Sequence, residues 1–334
     1  MARNHPDSYV EQWTASVQQA LPGQTALTVT YLGAHGVHLF RRGYTNLIDP
    51  TTGKRPLPQY PSEIDTKYNQ GMSSFNSLVT SVSRRFHNGL FLGGNYMYSH
   101  ALNDGSVGAG DADAAQNIAC FRCDYASSDF DARHSGTFSL VYELPFGYGK
   151  RYLNTPHAIN LIAGGWSINS LLSARAGLPI NVTLSRSAKE LIDGNNVNQR
   201  PDRVPGVPLY LPGRSISHWI NPAAFRLPAI GAWGTAGRNL LTGPTLWQND
   251  SAIEKTFRIT ERNSVSFRAE AFNIFNRAQY GQPASSLSIT TGKNGTRALT
   301  VPASFGTITS TVNSAGLVGT GTPRVLEFGL RIHY

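Results

Sequence analysis

The side chains best suited to chemistry gather between residues 101 and 132. Cys120 and Cys123 form a C-x-x-C pair there. Tetrahedral zinc takes four ligands, usually from a second such pair, and these are the chain's two cysteines. A thioredoxin-type redox motif needs a βαβ setting, which the pattern around the pair does not offer. A small disulfide, of the kind an oxidising compartment permits, is the reading adopted; free thiols and a bound metal are the alternatives. Asp104, Asp111, Asp113, Asp124, Asp129 and Asp131 crowd the same stretch, and carboxylate oxygens suit calcium. Their spacing departs from the D-x-[DN]-x-[DN]-G of a calcium loop, so solvated turn residues are the plainer reading. Gly105, Gly108 and Gly110 match no phosphate-binding fingerprint.

Elsewhere the nine histidines are dispersed, and neither H-E-x-x-H nor G-x-S-x-G occurs. The expectation is a protein that is not an enzyme and uses no cofactor. Arg268, Glu270, Glu327 and Arg331 are different: each alternates with apolar neighbours along an extended segment. Such charges either face a wet lumen, where they could meet a ligand, or pair with neighbouring strands.

Those four residues belong to the pattern that dominates the chain, an alternation of period two. At the C-terminus Leu326, Phe328, Leu330, Ile332 and Tyr334 fall on one face, against Glu327, Gly329, Arg331 and His333 on the other. Phe138, Leu140, Tyr142 and Leu144 repeat it, as do Val265, Phe267, Ala269 and Ala271. Leu90, Leu92, Tyr96 and Tyr98 do so with Phe91 and Met97 as exceptions. No helical periodicity of comparable length competes. The fold class expected is all-β, with nine strands near 8–21, 25–39, 75–87, 89–100, 133–143, 163–185, 249–260, 262–275 and 324–334. Gly177 and Pro179 mark a kink or break in the sixth.

The connections alternate too. Pro22-Gly23-Gln24, His87-Asn88-Gly89 and the stretch around Thr260-Glu261-Arg262 are tight; 40–74, 101–132, 186–248 and 276–323 are long and rich in Gly, Pro, Ser and Asn. With strands running up and down, every long excursion leaves from one rim, as in outer-membrane barrels with short periplasmic turns and long outside loops. The polar faces carry mostly Ser, Thr, Asn, Gln and Gly. A soluble sandwich would instead show a charged outer face, yet only 15 % of residues are charged, below the ~25 % of ordinary soluble domains. The chain therefore reads as an antiparallel up-and-down transmembrane barrel segment.

Other classes fall away on composition. The net charge of +9 comes from scattered Lys and Arg with no basic run, so no nucleic-acid partner is expected. No segment approaches the ~20 apolar residues of a spanning helix. The opening MARNHPDSYVEQW lacks an apolar export region, so for an exported barrel the first residue is expected not to be the true start. Nine strands point the same way: an odd count puts the two ends on opposite sides, against the even counts of bacterial barrels.

Four segments resemble a known family: SDFDARHSGTFSLVYELPFGYGKRY (128–152), GGWSINSLLSARAGLPINVT (164–183), the stretch from INPAAF to GTAGRNLLTGP (220–244) and FRAEAFNIFNRAQYGQP (267–283). Together they look like the C-terminal barrel of TonB-dependent receptors, in the Oar-like group whose members carry a carboxypeptidase-regulatory-like domain. The resemblance spans nearly the whole chain. It implies a barrel of about 22 strands with a plugged lumen, importing a bound ligand with energy from the TonB system. Neither plug nor TonB-contacting segment is seen in this sequence, so residues 1–334 are expected to be the last part of such a barrel. The stripe Leu326, Phe328, Leu330, Ile332 and Tyr334 is similar to the signal read by the barrel assembly machinery, by strand addition to an exposed edge. The partners expected are outer-membrane lipid, that machinery, an unknown transported ligand and, in the full-length relative only, TonB. A secreted or surface β-rich module, recognising glycan or protein through long loops, is the alternative.

Overall fold

The computed structural model describes residues 6–86, 89–108, 111–112, 114–154, 158–260, 262–313 and 321–334. Nine long strands form one antiparallel wall in chain order. They are β1 (Tyr9–Leu21), β2 (Thr25–Thr45), β3 (Ile64–Arg85), β4 (Leu90–Asn103), β5 (His134–Glu143), β6 (Trp166–Arg175), β7 (Leu246–Arg258), β8 (Ser264–Phe272) and β9 (Val325–His333). Each pairs with the next, and the wall does not close: no described strand pairs with the outer edge of β1 or of β9.

Register turns nine separate alternations into one surface. Residues directly opposite across an antiparallel pair share a face. Phe328 lies opposite Ala269, Ala269 opposite Ile253 and Ile253 opposite Ile168. The row continues through Tyr142 to Leu90. A second row runs from Tyr98 through Leu78 and Tyr31 to Ala15. A slip of one residue at any pair would have sent the following strands' apolar side chains to the wrong side. Tyr31, Leu78, Tyr98, Phe138, Ile253, Phe267 and Phe328 on this face are exposed. A soluble protein would cover so large an apolar sheet with a second layer.

Five boundaries differ most from the sequence expectation. β2 and β3 run on to Thr45 and back to Ile64, through a stretch expected to be loop. At 21 and 22 residues they exceed the ~9–11 that cross a membrane. Their upper halves stand clear of the apolar belt, so they carry no apolar alternation to announce them. The sixth strand ends at Arg175, not 185. A Cβ on Gly177 would lie 1.9 Å from the Gly243 carbonyl oxygen, so the chain leaves the wall there in close backbone contact. Pro179–Ile180 then pairs with Leu241–Thr242. The seventh begins earlier, at Leu246. The eighth stops at Phe272, where Asn273 turns the chain with a φ of 49°.

The tight connections lie at the opposite rim from the long ones. Gly23, with φ of 75°, makes the first, a conformation few other residues adopt cheaply. His87, Asn88 and Glu261, in the other two, lie outside the described residues. A longer connection on the same rim carries a short helix, α1 (Ala158–Ala163).

Candidate functional site

Below the long-loop rim, the inner face of the wall is polar with a few apolar insets. Opposite residues Glu327 and Glu270, Ala252 and Asn169 share it. Arg268 pairs with Glu270 in an ion pair, and Glu254 stands opposite Arg268. Glu254, Ser266, Arg268 and Arg331 border a shallow cavity of about 240 Å³. The four charges singled out in the sequence thus lie on the side away from the apolar belt, and two pair with each other. Phe91 and Met97, the exceptions on β4, also face inward, opposite Val141 and Ser135.

A larger cavity of about 590 Å³ opens higher on the inner face, bordered by Val79, Asn95, Met97, Ser135, Thr137 and Arg175. This volume lies within the usual range for ligand pockets. Val312, from the long connection between β8 and β9, also lines it. That connection therefore reaches down to the inner wall instead of standing clear of it. Alternation puts Arg175 on the polar face of the sixth strand, but no sequence signal links it with Val312, and the two come to one cavity only in the folded chain.

Above the rim the long connections are not separate coils. They fold into one assembly with its own apolar core of Ile180, Val182, Leu184, Ile220, Phe225, Leu241, Leu287 and Phe305. Thr183–Leu184 pairs in parallel with Ser286–Leu287, joining the connection after β6 to the one after β8. Arg297 adds an ion pair to Glu190 at 2.9 Å.

Buried charge fixes this assembly to the wall. Asp124 is 3 % exposed, and its carboxylate accepts from Arg200 at 2.6 Å. It also accepts from Arg41 at 3.3 Å and from the Gln116 amide at 3.1 Å. Arg238 donates to the Asp124 carbonyl at 3.0 Å, to the Asn103 carbonyl at 2.6 Å and to Asp129 at 3.3 Å. The knot joins the top of β2, the top of β4, the connection after β4 and the connection after β6. Two of its three arginines, Arg200 and Arg238, stand in the long connection after β6, so only folding reveals their partners.

Asp104, Asp124, Asp129 and Asp131 therefore meet guanidinium groups. Asp131 accepts from the Ala101 amide at 2.9 Å and pairs with Arg133 at 3.1 Å. The side chains of Asp111 and Asp113 lie outside what is described. Among the described residues no His, Cys, Asp or Glu group is arranged to hold a metal. Cys120 and Cys123 are disulfide-bonded, with Cα atoms 5.4 Å apart. The bond ties Cys120, just before the turn Phe121–Asp124, to Cys123 within it. The turn lays Phe121 under the Arg41 guanidinium, 5.5 Å from the ring centre, and delivers Asp124 to the knot.

Burial pushes the Asp104 carboxyl above its ordinary value, with Arg41 pulling the other way. The folded protein then holds this proton more tightly than the unfolded chain does. Its contribution to stability is full below the ordinary aspartate value of about 3.9 and is lost as pH rises through the raised folded value. The assembly's melting temperature, read from tryptophan fluorescence, is expected to carry a component that falls from acidic towards neutral pH. Asp104→Asn should flatten that component; an unchanged slope would contradict the assignment.

Of the C-terminal stripe, Leu326, Phe328, Leu330 and Ile332 lie exposed on the apolar face, and Tyr334 is also exposed.

Comparison with known proteins agrees with this architecture. The outer membrane beta barrel domain family matches residues 1–327. The crystal structure of the outer membrane transporter YddB from Escherichia coli superposes with a TM-score of 0.50 at 8 % identity. That match covers 99 % of this chain and 33 % of the transporter, so the chain spans about a third of that protein's length. No curated protein matches the sequence. A wall with one uncovered apolar face, a polar inner face and loops massed at one rim is a structure for the outer membrane, and the chain belongs to the outer membrane beta barrel domain family.

Proposed function

We propose that this chain is the C-terminal wall of a TonB-dependent uptake receptor of the Oar-like group, in which further strands close the barrel and a plug occupies its lumen. The outward apolar face meets acyl chains. The loop assembly receives a ligand from outside, and the inner wall lines the conduit. The role is binding and passage, not catalysis.

One observation carries the reading: a long connection reaches from the loop assembly to the inner wall, where Val312 borders the 590 Å³ cavity. Outer loops and conduit are thereby in direct contact, as a receptor that hands its ligand inward requires. The open edges of β1 and β9 support a wider barrel, because an unpaired edge invites another strand. A secreted module would need a layer over the apolar face; among the described residues, none covers it beyond the single turn-and-a-half of α1.

The test is in-cell crosslinking of the full-length protein to the periplasmic domain of TonB. A crosslinked species in the outer-membrane fraction is expected. Its absence, in cells where a known receptor crosslinks, would overturn the TonB-dependent role. Recovery of the protein as a soluble monomer without detergent would overturn the membrane reading altogether.

A further inference from the structure

The connection between β5 and β6 stands apart from the other short-rim turns. It exposes Tyr148, Tyr152, Leu153, Ile159, Leu161 and Ile162, the last 77 % exposed. Its location follows from one lysine. Lys255 lies opposite Trp166 and Phe267, in the outward apolar row, yet is only 4 % exposed. An ammonium buried among apolar side chains is costly unless it finds acceptors. The last turn of a helix offers carbonyls that lack partners within the helix. Lys255 donates to two carbonyls at the end of α1, that of Ile162 at 3.2 Å and that of Gly164. The Trp166 and Phe257 rings flank its ammonium at 5.2 and 5.0 Å. Trp166 Nε1 donates to the same Ile162 carbonyl at 2.7 Å.

These bonds hold α1 against the outside of the wall. Close backbone packing adds to them. A Cβ on Gly165 would lie 2.3 Å from the Thr256 carbonyl oxygen, and one on Gly147 would lie 2.5 Å from the Gly164 Cα. The Asn160 side chain accepts from the Tyr148 amide at 2.7 Å, tying the two halves of the connection together. The exposed isoleucines and leucine thus continue the wall's apolar face outward at the short-turn rim.

We infer that this connection is a membrane foot, seating α1 and its aromatic neighbours in the headgroup–acyl boundary of the phospholipid leaflet at the short-turn rim. The occupant is lipid because the surface is continuous with the acyl-facing wall. A short apolar helix flanked by Tyr and Trp also has the chemistry of an interfacial element. The inference rests on the proposed lipid contact of the wall, and the test separates the two.

Nitroxide labels at Ile162→Cys and, separately, Leu330→Cys would be read by electron paramagnetic resonance. The full-length protein would be reconstituted in phosphatidylethanolamine–phosphatidylglycerol vesicles, with collisions by oxygen and by a water-soluble nickel chelate compared. Oxygen access several-fold above nickel access is expected at both positions. Nickel access at Ile162 with an oily Leu330 would overturn the foot alone. A label at Ile162 shielded from both reagents would mean a protein partner covers it, and would overturn it too. Nickel access at Leu330 would overturn the lipid-facing wall. Adding Lys255→Met to the Ile162 label should raise both its mobility and its nickel access, if the lysine is the latch. Unchanged spectra would remove that role, leaving the depth measurement to decide the foot.

Discussion

Asp124→Ala is expected to loosen the loop assembly while leaving the strand wall intact. The carboxylate is shared by Arg41 and Arg200, which are 1 % and 4 % exposed. Removing one partner of a buried ion pair typically costs about 3–5 kcal/mol, because the remaining charge stays out of water without its counterion. Here two guanidinium groups lose the same carboxylate, and the Gln116 amide loses an acceptor. The wall does not depend on this group, since its ladders run through residues of the nine strands. Protease added to intact cells should therefore cut within the long connections of the variant, whereas the barrel should keep its heat-dependent shift in electrophoretic mobility. Asp124→Asn retains an acceptor for Gln116 and should loosen the loops less. Equal protease resistance in wild type and Asp124→Ala would show that the apolar core suffices to hold the assembly.

A second substitution separates the two faces of the wall within one strand. Phe328→Arg places a charge in the middle of β9 on the apolar face, where Phe328 stacks on Phe267 with ring centres 6.2 Å apart. Arginine at the midplane on the lipid side of a transmembrane barrel costs about 2–4 kcal/mol. The neighbouring Gly329→Glu puts a charge on the inner face, where an added Cβ meets nothing within 4 Å and Arg268 lies directly opposite. The folded fraction in the outer membrane should fall sharply for the first and stay near wild type for the second. Equal losses would mean that β9 has protein on both sides.

Alternation was enough to find the wall. Leu326, Phe328, Leu330 and Ile332 announce a strand with one apolar face, and the order of tight and long connections sets the strands running up and down. Both are local signals. The period-two pattern reflects backbone geometry, and turn chemistry needs only three or four adjacent residues. The crowding of long connections at one rim and the weakly charged polar faces carried the reading from a β-sheet to a membrane wall. The likeness of four segments to TonB-dependent receptors pointed the same way, and the family match over residues 1–327 agrees with the membrane part of it. The same signals fail where a strand leaves the apolar belt. Arg41 and Tyr68 lie on β2 and β3, but above the belt no apolar alternation marks them as strand.

The long connections show the other limit. Ile180, Ile220, Leu241 and Leu287 form one core although each sits in a stretch rich in glycine, proline and polar residues. Their strands are only a few residues long, too short to show a period. Asp124 and Arg41 are 83 positions apart, and Lys255 finds its acceptors 91 and 93 positions away. The sequence by itself determined the strands, their order and the two faces of the wall, because each depends on neighbours along the chain. Only the tertiary structure decided which buried charges meet, where the loops reach the inner wall and what shields Lys255. Those pairings are settled by burial, and a side chain acquires a buried neighbour only when distant segments pack together.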